Sequence, residues 1–298
     1  MIKSIGSIIS HVKSENKKTI AVAAAEDYDV VRIVSECNKM DLADFILVGD
    51  EEKIIKIAKE NYIKLDCEII NIKENFLAAK KVVELTRQKK ANVIMKGLLQ
   101  SSQFLKAVLN KETGLNKGKL ISQISVYDKI NGEGLQLLTD CAISIQPTLE
   151  EKKQIVENAV EFARKIGITT PRVAILSALE TVNPAISDTI DAAVLSKMAE
   201  RGQIKNAIVD GPFALDNAIC IEAAKHKNIS GKVAGNADIL LVPNLQVGNV
   251  LTKALVFFAR RKVAAAVIGA AAPIVMTSRT DTIDNKILSI ALALYTAD

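Results

Sequence analysis

The sequence predicts an α/β fold with two domains, each a mostly parallel sheet with flanking helices. Short β-branched apolar runs alternate with stretches of ten to twenty amphipathic residues along a chain of 298 residues. That alternation is typical of βαβ units, whose successive strands lie parallel in one sheet. The chain is also longer than one hydrophobic core usually supports, which favours two domains.

Strands are expected at the apolar runs TIAVAAA (19–25), DFILVG (44–49), CEIINI (67–72), NVIMKG (92–97), QISVYD (123–128), LQLLTD (135–140), RVAILSA (172–178), NAIVDG (206–211), ADILLVP (237–243) and AAAVIGA (264–270). Helices are predicted between most of them, including 74–90, 149–166, 187–201 and 285–296. The helix at 149 has the clearest start, because Thr148 and Glu151 form an S/T-x-x-E capping box.

A predicted hairpin offers a place for one domain to pass into the next. In YDKINGEGLQLLTD (127–140), Asn131, Gly132 and Gly134 supply turn residues between two apolar runs. We expect a first domain of residues 1–135 plus 280–298 and a second domain of residues 136–279.

The composition indicates a cytoplasmic protein. The apolar run Val263–Met276 is 14 residues long, too short to span a bilayer. The first residues, MIKSIGSIISHVK, have the apolar spacing of an amphipathic helix, whereas a signal peptide needs an unbroken apolar core. Four scattered cysteines without a C-x-x-C pair favour buried thiols in a reducing compartment.

Missing residue types exclude several functions. Two histidines, His11 and His226, are too few for a histidine metal cluster or a serine–histidine triad. Neither G-x-x-x-x-G-K-[ST] nor G-x-G-x-x-G occurs, which disfavours a nucleotide kinase and an ordinary Rossmann dehydrogenase. No nucleic-acid-binding motif is recognised, and aromatic residues are few. An enzyme built from this sequence would use a carboxylate as its general base.

Positive charge is concentrated in residues 89–119. This segment holds seven lysines against one acid, Glu112, while the whole chain has a net charge of +5. Lys96 lies at the end of an apolar strand, where a purely solvated lysine is less expected. A polyanionic small molecule is therefore a reasonable ligand, with a solvated helix face as the structural alternative.

The stretch AAPIVMTSRTDTIDNK (271–286) places a hydroxyl and a guanidinium, Ser278 and Arg279, where an apolar run stops. Asp281 and Asp284 follow within two helical turns. Ligands of parallel sheets bind at the carboxyl ends of strands. The stretch thus predicts an anion site with a proton acceptor beside it; the alternative is a strand end that enters a solvated helix.

Four motifs in order resemble the phosphate acyltransferase family, and most closely its phosphate butyryltransferase branch. They are MKGLLQSSQFL (95–105), LSKMAERGQIKNAIVDGPFALD (195–216), AGNADILLVPNLQVGNVLTKAL (234–255) and PIVMTSRTD (273–281). The resemblance covers nearly the whole chain. It implies a two-domain α/β fold similar to isocitrate and isopropylmalate dehydrogenases, with the active site in the interdomain cleft. It also implies the reversible reaction of a short-chain acyl-CoA, butyryl or branched C4–C5, with phosphate to acyl phosphate and CoA.

The same resemblance implies that no metal or other cofactor takes part, with coenzyme A and inorganic phosphate as substrates. It implies a homodimer or higher homo-oligomer that is linked functionally to an acyl (butyrate-type) kinase, with no nucleic acid or membrane partner. Arg279 would bind phosphate through its planar fork, and Ser278 would donate to the carbonyl oxygen. Ser278 could instead cap the last helix. The expected substrate-binding residues are Lys96, Gly97, Ser101, Ser102, Lys106, Asn244, Gly248 and Asn249.

The sequence departs from the family at three positions. Acetyl-specific relatives carry an aspartate seven residues after the serine, thought to deprotonate the CoA thiol, where this chain has Asn285. Asp281 and Asp284 are the replacement candidates for the base, and either could instead stabilise the helix dipole. Lys106 and Gln123 stand where butyryl relatives tend to have arginine and histidine, which puts substrate contacts there in doubt.

Two other functions remain open from the residues. A metal-dependent, NAD(P)-linked dehydrogenase on the same fold would need clustered aspartates and an arginine-rich motif, which the sequence lacks. A non-catalytic protein that binds CoA or acyl phosphate is favoured by Asn285 alone.

Overall fold

A computed structural model of the chain describes residues 2–130 and 133–297. The chain divides into two compact units. We call residues Gly6–Lys119 with Ala264–Asp298 the terminal unit, and Met1–Ile5 with Leu120–Val263 the middle unit. Both units have the predicted α/β architecture. Helices and strands are numbered below in chain order.

The terminal unit begins with α1 (Ser7–Lys13), β1 (Thr19–Ala23), α2 (Tyr28–Lys39), β2 (Asp44–Gly49), α3 (Glu51–Glu60), β3 (Glu68–Asn71), α4 (Asn75–Arg87), β4 (Val93–Lys96) and α5 (Ser101–Val108). It ends with β10 (Ala264–Ile268), β11 (Ile274–Val275) and α11 (Ile283–Thr296). Its strand order is β3-β2-β1-β4-β11-β10. The pairs are parallel except for β10 with β11.

The middle unit contains β5 (Ser122–Asp128), β6 (Leu135–Thr139), α6 (Leu149–Lys165), β7 (Arg172–Leu176), α7 (Ser187–Glu200), β8 (Ile208–Phe213), α8 (Leu215–Ile219), α9 (Ile221–His226), β9 (Ile239–Leu241) and α10 (Leu245–Phe257). Its strand order is β5-β6-β9-β7-β8. The hairpin pair β5 and β6 is antiparallel and the other pairs are parallel.

Burial explains why the strands are continuous apolar runs. In β1, β2 and β7 every residue after the first is buried, as expected of strands covered by helices on both faces. Several helices begin at side-chain caps that can be read in the sequence. The Asp27 carboxylate caps α2, and Thr148 and Glu151 form the predicted capping box at the start of α6.

The predicted domain boundaries at 135/136 and 279/280 differ from those of the two units, which lie at 5/6, 119/120 and 263/264. The predicted hairpin is present, and because β5 pairs with β6 it stays whole in the middle unit. Its proposed turn residues Asn131 and Gly132 lie outside the described residues. At the other boundary, β11 pairs with β4 and therefore belongs to the terminal unit.

The apolar run Val263–Met276 is also not one strand. It contains β10 and then β11, which turns back antiparallel to β10. The reversal matters for the site, because β11 then runs parallel to β4. The segment that carries Ser278 and Arg279 therefore leaves the sheet at the same edge as Lys96.

Candidate functional site

Three strands of the terminal unit end side by side. In the parallel pair of β1 and β4, Ala23 is opposite Lys96, and in the pair of β4 and β11, Met95 is opposite Val275. Asp27 and Arg279 lie in the segments that follow β1 and β11, and Lys96 is the last residue of β4. This is the carboxyl edge of a parallel sheet, where ligands of α/β proteins bind.

Lys96 is half-buried at this edge, and its ammonium is held by backbone oxygens. Its Nζ donates to Gly97 O at 3.2 Å and to Leu99 O at 3.1 Å. Burial lowers the pKa of Lys96, and the positive charge of Arg279 lowers it further, while the Asp27 carboxylate opposes the shift. The two cations therefore lie close enough to repel each other.

Arg279 is exposed, and in the part of the chain that the structure describes its side chain has no hydrogen bond or ion pair. Asp27 acts electrostatically on Lys96 at this edge, and its Oδ1 accepts from Val30 N at 3.2 Å as the cap of α2. Lys96 and Arg279 share this edge, and neither forms an ion pair with the described residues, so together they are a candidate anion site. The planar guanidinium suits two oxygens of one phosphate.

Ser278 opens a tight turn rather than capping the last helix. Ser278 N donates to Asp281 Oδ2 at 2.8 Å, and Asp281 N donates to Ser278 O at 3.2 Å. Thr280 N also donates to Ser278 Oγ at 3.3 Å. The cap of α11 is Thr282, whose side chain accepts from Asn285 N at 3.2 Å. The capping alternative for Ser278 is therefore wrong, and Ser278 is an exposed residue next to Arg279.

The two candidate bases lie in different local settings. Asp281 is partly buried within the Ser278 turn. Asp284 is exposed in the first turn of α11, where a negative charge stabilises the helix dipole. Asn285 is buried, with 5% of its surface exposed. The role of either aspartate as base stays a prediction.

Other predicted residues of the terminal unit have structural contacts of their own. A side chain at Gly97 would place its Cβ 2.3 Å from Ala24 O, so only glycine allows β4 to leave the sheet this close to β1. Ser101 and Ser102 are exposed in the first turn of α5. Lys106 Nζ lies 5.8 Å from the centre of the Phe76 ring, a cation–π contact with α4.

The predicted residues of the middle unit lie at the start of α10. Asn244 is the cap of this helix, and its Oδ1 accepts from Val247 N at 3.1 Å. Gly248 is buried, and a Cβ there would lie 2.7 Å from Asp140 O. Asn249 is exposed. Asn244 and Gly248 thus have clear structural roles, and their contact with substrate stays a prediction.

Asp140 organises the loop after β6, a role that sequence reasoning missed. Its buried carboxylate accepts from the backbone N of Gln123, Ala142 and Ile143 at 3.0–3.1 Å, and from Ser144 N at 3.0 Å. The position of Asp140 directly after a strand is the one sequence feature that points to a special role. The sequence does not indicate that backbone N–H groups occupy its carboxylate.

All four cysteines are free thiols. Among residues 2–130 and 133–297 no cluster of three or more His, Cys, Asp or Glu side chains could hold a metal ion. Over the same residues, no helix has the length and apolar character needed to cross a membrane.

Comparisons with known proteins agree with the motifs. The family model described as "Phosphate acetyl/butaryl transferase" matches residues 4–89 and 68–294. The chain is 46% identical to the phosphate butyryltransferase of Clostridium acetobutylicum over 100% of this chain and 99% of the relative. A branched-chain phosphotransacylase from Enterococcus faecalis V583 has a similar structure, with a TM-score of 0.83 and 32% identity over 94% of this chain and 98% of that one.

A more distant likeness concerns the fold alone. A putative 4-hydroxythreonine-4-phosphate dehydrogenase from Salmonella typhimurium superposes with a TM-score of 0.61 at 13% identity, over 95% of this chain and 100% of that one. The predicted likeness to a dehydrogenase-type α/β fold is confirmed.

Proposed function

Because the chain belongs to the phosphate acetyl/butaryl transferase family, we propose that it is an acyltransferase that converts a short-chain acyl-CoA and inorganic phosphate reversibly to acyl phosphate and CoA. The observation that supports this most is that Lys96 and Arg279 lie at the carboxyl edge of the terminal unit and that neither forms an ion pair with the described residues. Phosphate is the anion that the reaction must hold.

In the proposed reaction a phosphate oxygen attacks the thioester carbonyl carbon. The C–O bond forms and negative charge develops on the carbonyl oxygen. The carbonyl then re-forms as the C–S bond breaks, and the CoA thiolate that leaves takes up the proton that the phosphate gives up. Arg279 and Lys96 would hold the phosphate close to the acyl group, which removes most of the entropic barrier. The exposed Ser278 hydroxyl would donate to the carbonyl oxygen as its charge grows.

We propose butyryl or branched C4–C5 acyl groups as the substrates. The support is that relatives 43–46% identical over 98–100% of this chain are named phosphate butyryltransferase or probable phosphate butyryltransferase. A further relative in structure is a branched-chain phosphotransacylase. One methylene in an apolar pocket changes discrimination by about 1–3 kcal/mol, so several acyl-CoAs should react.

The wider setting follows the same proposal. CoA and phosphate act as substrates without a metal or other cofactor, an acyl kinase of the butyrate type consumes the acyl phosphate, and the protein is a cytoplasmic homodimer or higher homo-oligomer. The four free thiols support a reducing compartment. The comparisons do not favour either alternative function, the dehydrogenase or the non-catalytic binding protein.

The test is thiol release from acetyl-, propionyl-, butyryl-, isobutyryl- and isovaleryl-CoA, with and without inorganic phosphate. Phosphate-dependent release that is fastest with a C4 or C5 substrate is expected. Release without phosphate would show a thioesterase. Absence of release from folded protein that still binds CoA would show a binding protein instead.

A further inference from the structure

The turn that carries Ser278 and Arg279 is closed by a side chain. Asp281 Oδ2 accepts the backbone N–H of Ser278 at 2.8 Å, and Asp281 N returns a bond to Ser278 O at 3.2 Å. Ser278 Oγ lies 3.0 Å from Thr280 Oγ1 and accepts from Thr280 N. Asp281 thus forms hydrogen bonds with both the backbone N–H and the backbone C=O of Ser278. Arg279 lies between these two residues in the chain.

The position of this turn gives the bonds their importance. Strand β11 is two residues long and ends at Val275, and α11 begins at Ile283. Residues 276–282 connect them outside both elements, so local bonds set the backbone conformation from which the exposed Arg279 side chain projects. A carboxylate that accepts a backbone N–H makes a stronger bond than a neutral acceptor.

We infer that Asp281 is a positioning residue that holds Ser278 and Arg279 at the anion site, and that it is not the proton acceptor for the CoA thiol. The inference rests on the proposed function. The inference distinguishes the two candidate bases by their structural contacts. The Asp281 carboxylate closes the turn, while Asp284 is exposed on the first turn of α11.

A pair of substitutions separates the two roles. Asparagine keeps an oxygen that can accept the Ser278 N–H, as asparagine does in Asx turns, but it cannot take a proton. Alanine removes both properties. A positioning role predicts that Asp281→Ala lowers kcat/KM about 10²-fold, the usual cost of a small misplacement, whereas Asp281→Asn stays within about tenfold of the parent because its bond is weaker but present. If Asp281 were the base, both substitutions would lower kcat/KM to the same extent.

Two further readouts are expected to agree. The loss in Asp281→Ala should appear as a raised KM for phosphate, and the pH profile of Asp281→Asn should keep the acidic limb of the parent. Asp284→Asn is the comparison variant, since loss of that limb in it would locate the base. Equal losses in Asp281→Asn and Asp281→Ala, or loss of the acidic limb in Asp281→Asn, would overturn the inference.

A measurement without turnover distinguishes this inference from the proposed function. Inorganic phosphate should raise the Tm of the parent and of Asp281→Asn, and raise that of Asp281→Ala much less. If the parent shows this shift but no phosphate-dependent thiol release, the proposed function fails while the positioning role stands. If Asp281→Ala does not fold, Asp281→Asn decides alone: a lost Tm shift in that variant overturns the inference, and a retained one supports it.

Discussion

Two charged clusters, one in each unit, differ in how their charges are paired. At the carboxyl edge of the terminal unit, Lys96 and Arg279 repel each other, and neither forms an ion pair with the described residues. In the middle unit, the buried Asp238 receives two bonds of 2.9 Å from the Arg172 guanidinium and a contact of 2.6 Å from Lys129. Lys227 is likewise paired, with its Nζ 3.2 Å from a Glu180 oxygen.

The pairing of a charge within the fold decides whether that charge is available to a ligand. Charges paired within the fold have their hydrogen bonds satisfied, and removal of one partner of a buried pair such as Arg172–Asp238 destabilises the fold. Two like charges held together work against folding and are tolerated where a ligand neutralises them. The comparison therefore predicts loss of activity with an intact fold in the terminal unit, and loss of stability in the middle unit.

The largest effect is expected at Arg279. Arg279→Ala should lower kcat/KM about 10²–10³-fold, as loss of a preorganised charge contact does, and raise the KM for phosphate. Its Tm without phosphate should stay near that of the parent, because the side chain is exposed and makes no hydrogen bond or ion pair with the described residues. Steady-state kinetics and thermal unfolding measure both.

Arg87→Ala is the matched control, since Arg87 is an exposed arginine of the same unit in the last turn of α4. It should change neither activity nor Tm. Near-normal kinetics in Arg279→Ala would show that Arg279 does not bind phosphate during the reaction.

Asp238→Asn tests the other side of the comparison. Burial alone would raise the pKa of Asp238, but the bonds from Arg172 and Lys129 outweigh it and lower that pKa below 3.8. The carboxylate thus stabilises the fold fully above pH 3.8, and this contribution is lost as the pH falls through the lowered folded value. Asp238→Asn should reduce the free energy of unfolding by about 3 kcal/mol at neutral pH, because it leaves two cations unpaired.

Urea unfolding at pH 7 and at pH 3 checks this, with the difference between parent and variant shrinking at the lower pH. Asp41→Asn is the control, because the ion pair of Asp41 with Lys17 is on the surface, where removal has little effect. A similar decrease in the free energy of unfolding in both variants would show that the buried ion pairs of Asp238 contribute no more to stability than a surface ion pair does.

The smallest effect is expected at Lys96. Lys96→Met should lower kcat/KM about tenfold, because one of two cations is removed while the bidentate partner of phosphate remains. It should also weaken the stabilisation of the protein by inorganic phosphate. Lys80→Met is the control, since Lys80 is bound over the Phe76 ring on α4, at 4.9 Å. Equal phosphate affinity in parent and Lys96→Met would confine the anion site to Arg279.

Sequence reasoning identified features whose cause is local. The capping box of Thr148 and Glu151, the hairpin of β5 and β6 and the alternation of strands with helices depend on residues near one another in the chain. The motif around Ser278 was also visible. Its internal geometry was not, because whether Asp281 faces the Ser278 N–H or the solvent depends on backbone angles that residue spacing does not specify.

The sequence by itself determined the fold class, the family and the residue types that the chemistry needs, since periodicity and motifs are properties of short segments. The tertiary structure decided which of those residues meet. It reversed the chain between β10 and β11, and this reversal made β11 parallel to β4 and brought the Arg279 charge beside Lys96. The physical reason is that the interaction between the Lys96 and Arg279 charges depends on the distance between them. That distance is set by the pairing of β4 with β11, two strands that are far apart in the chain.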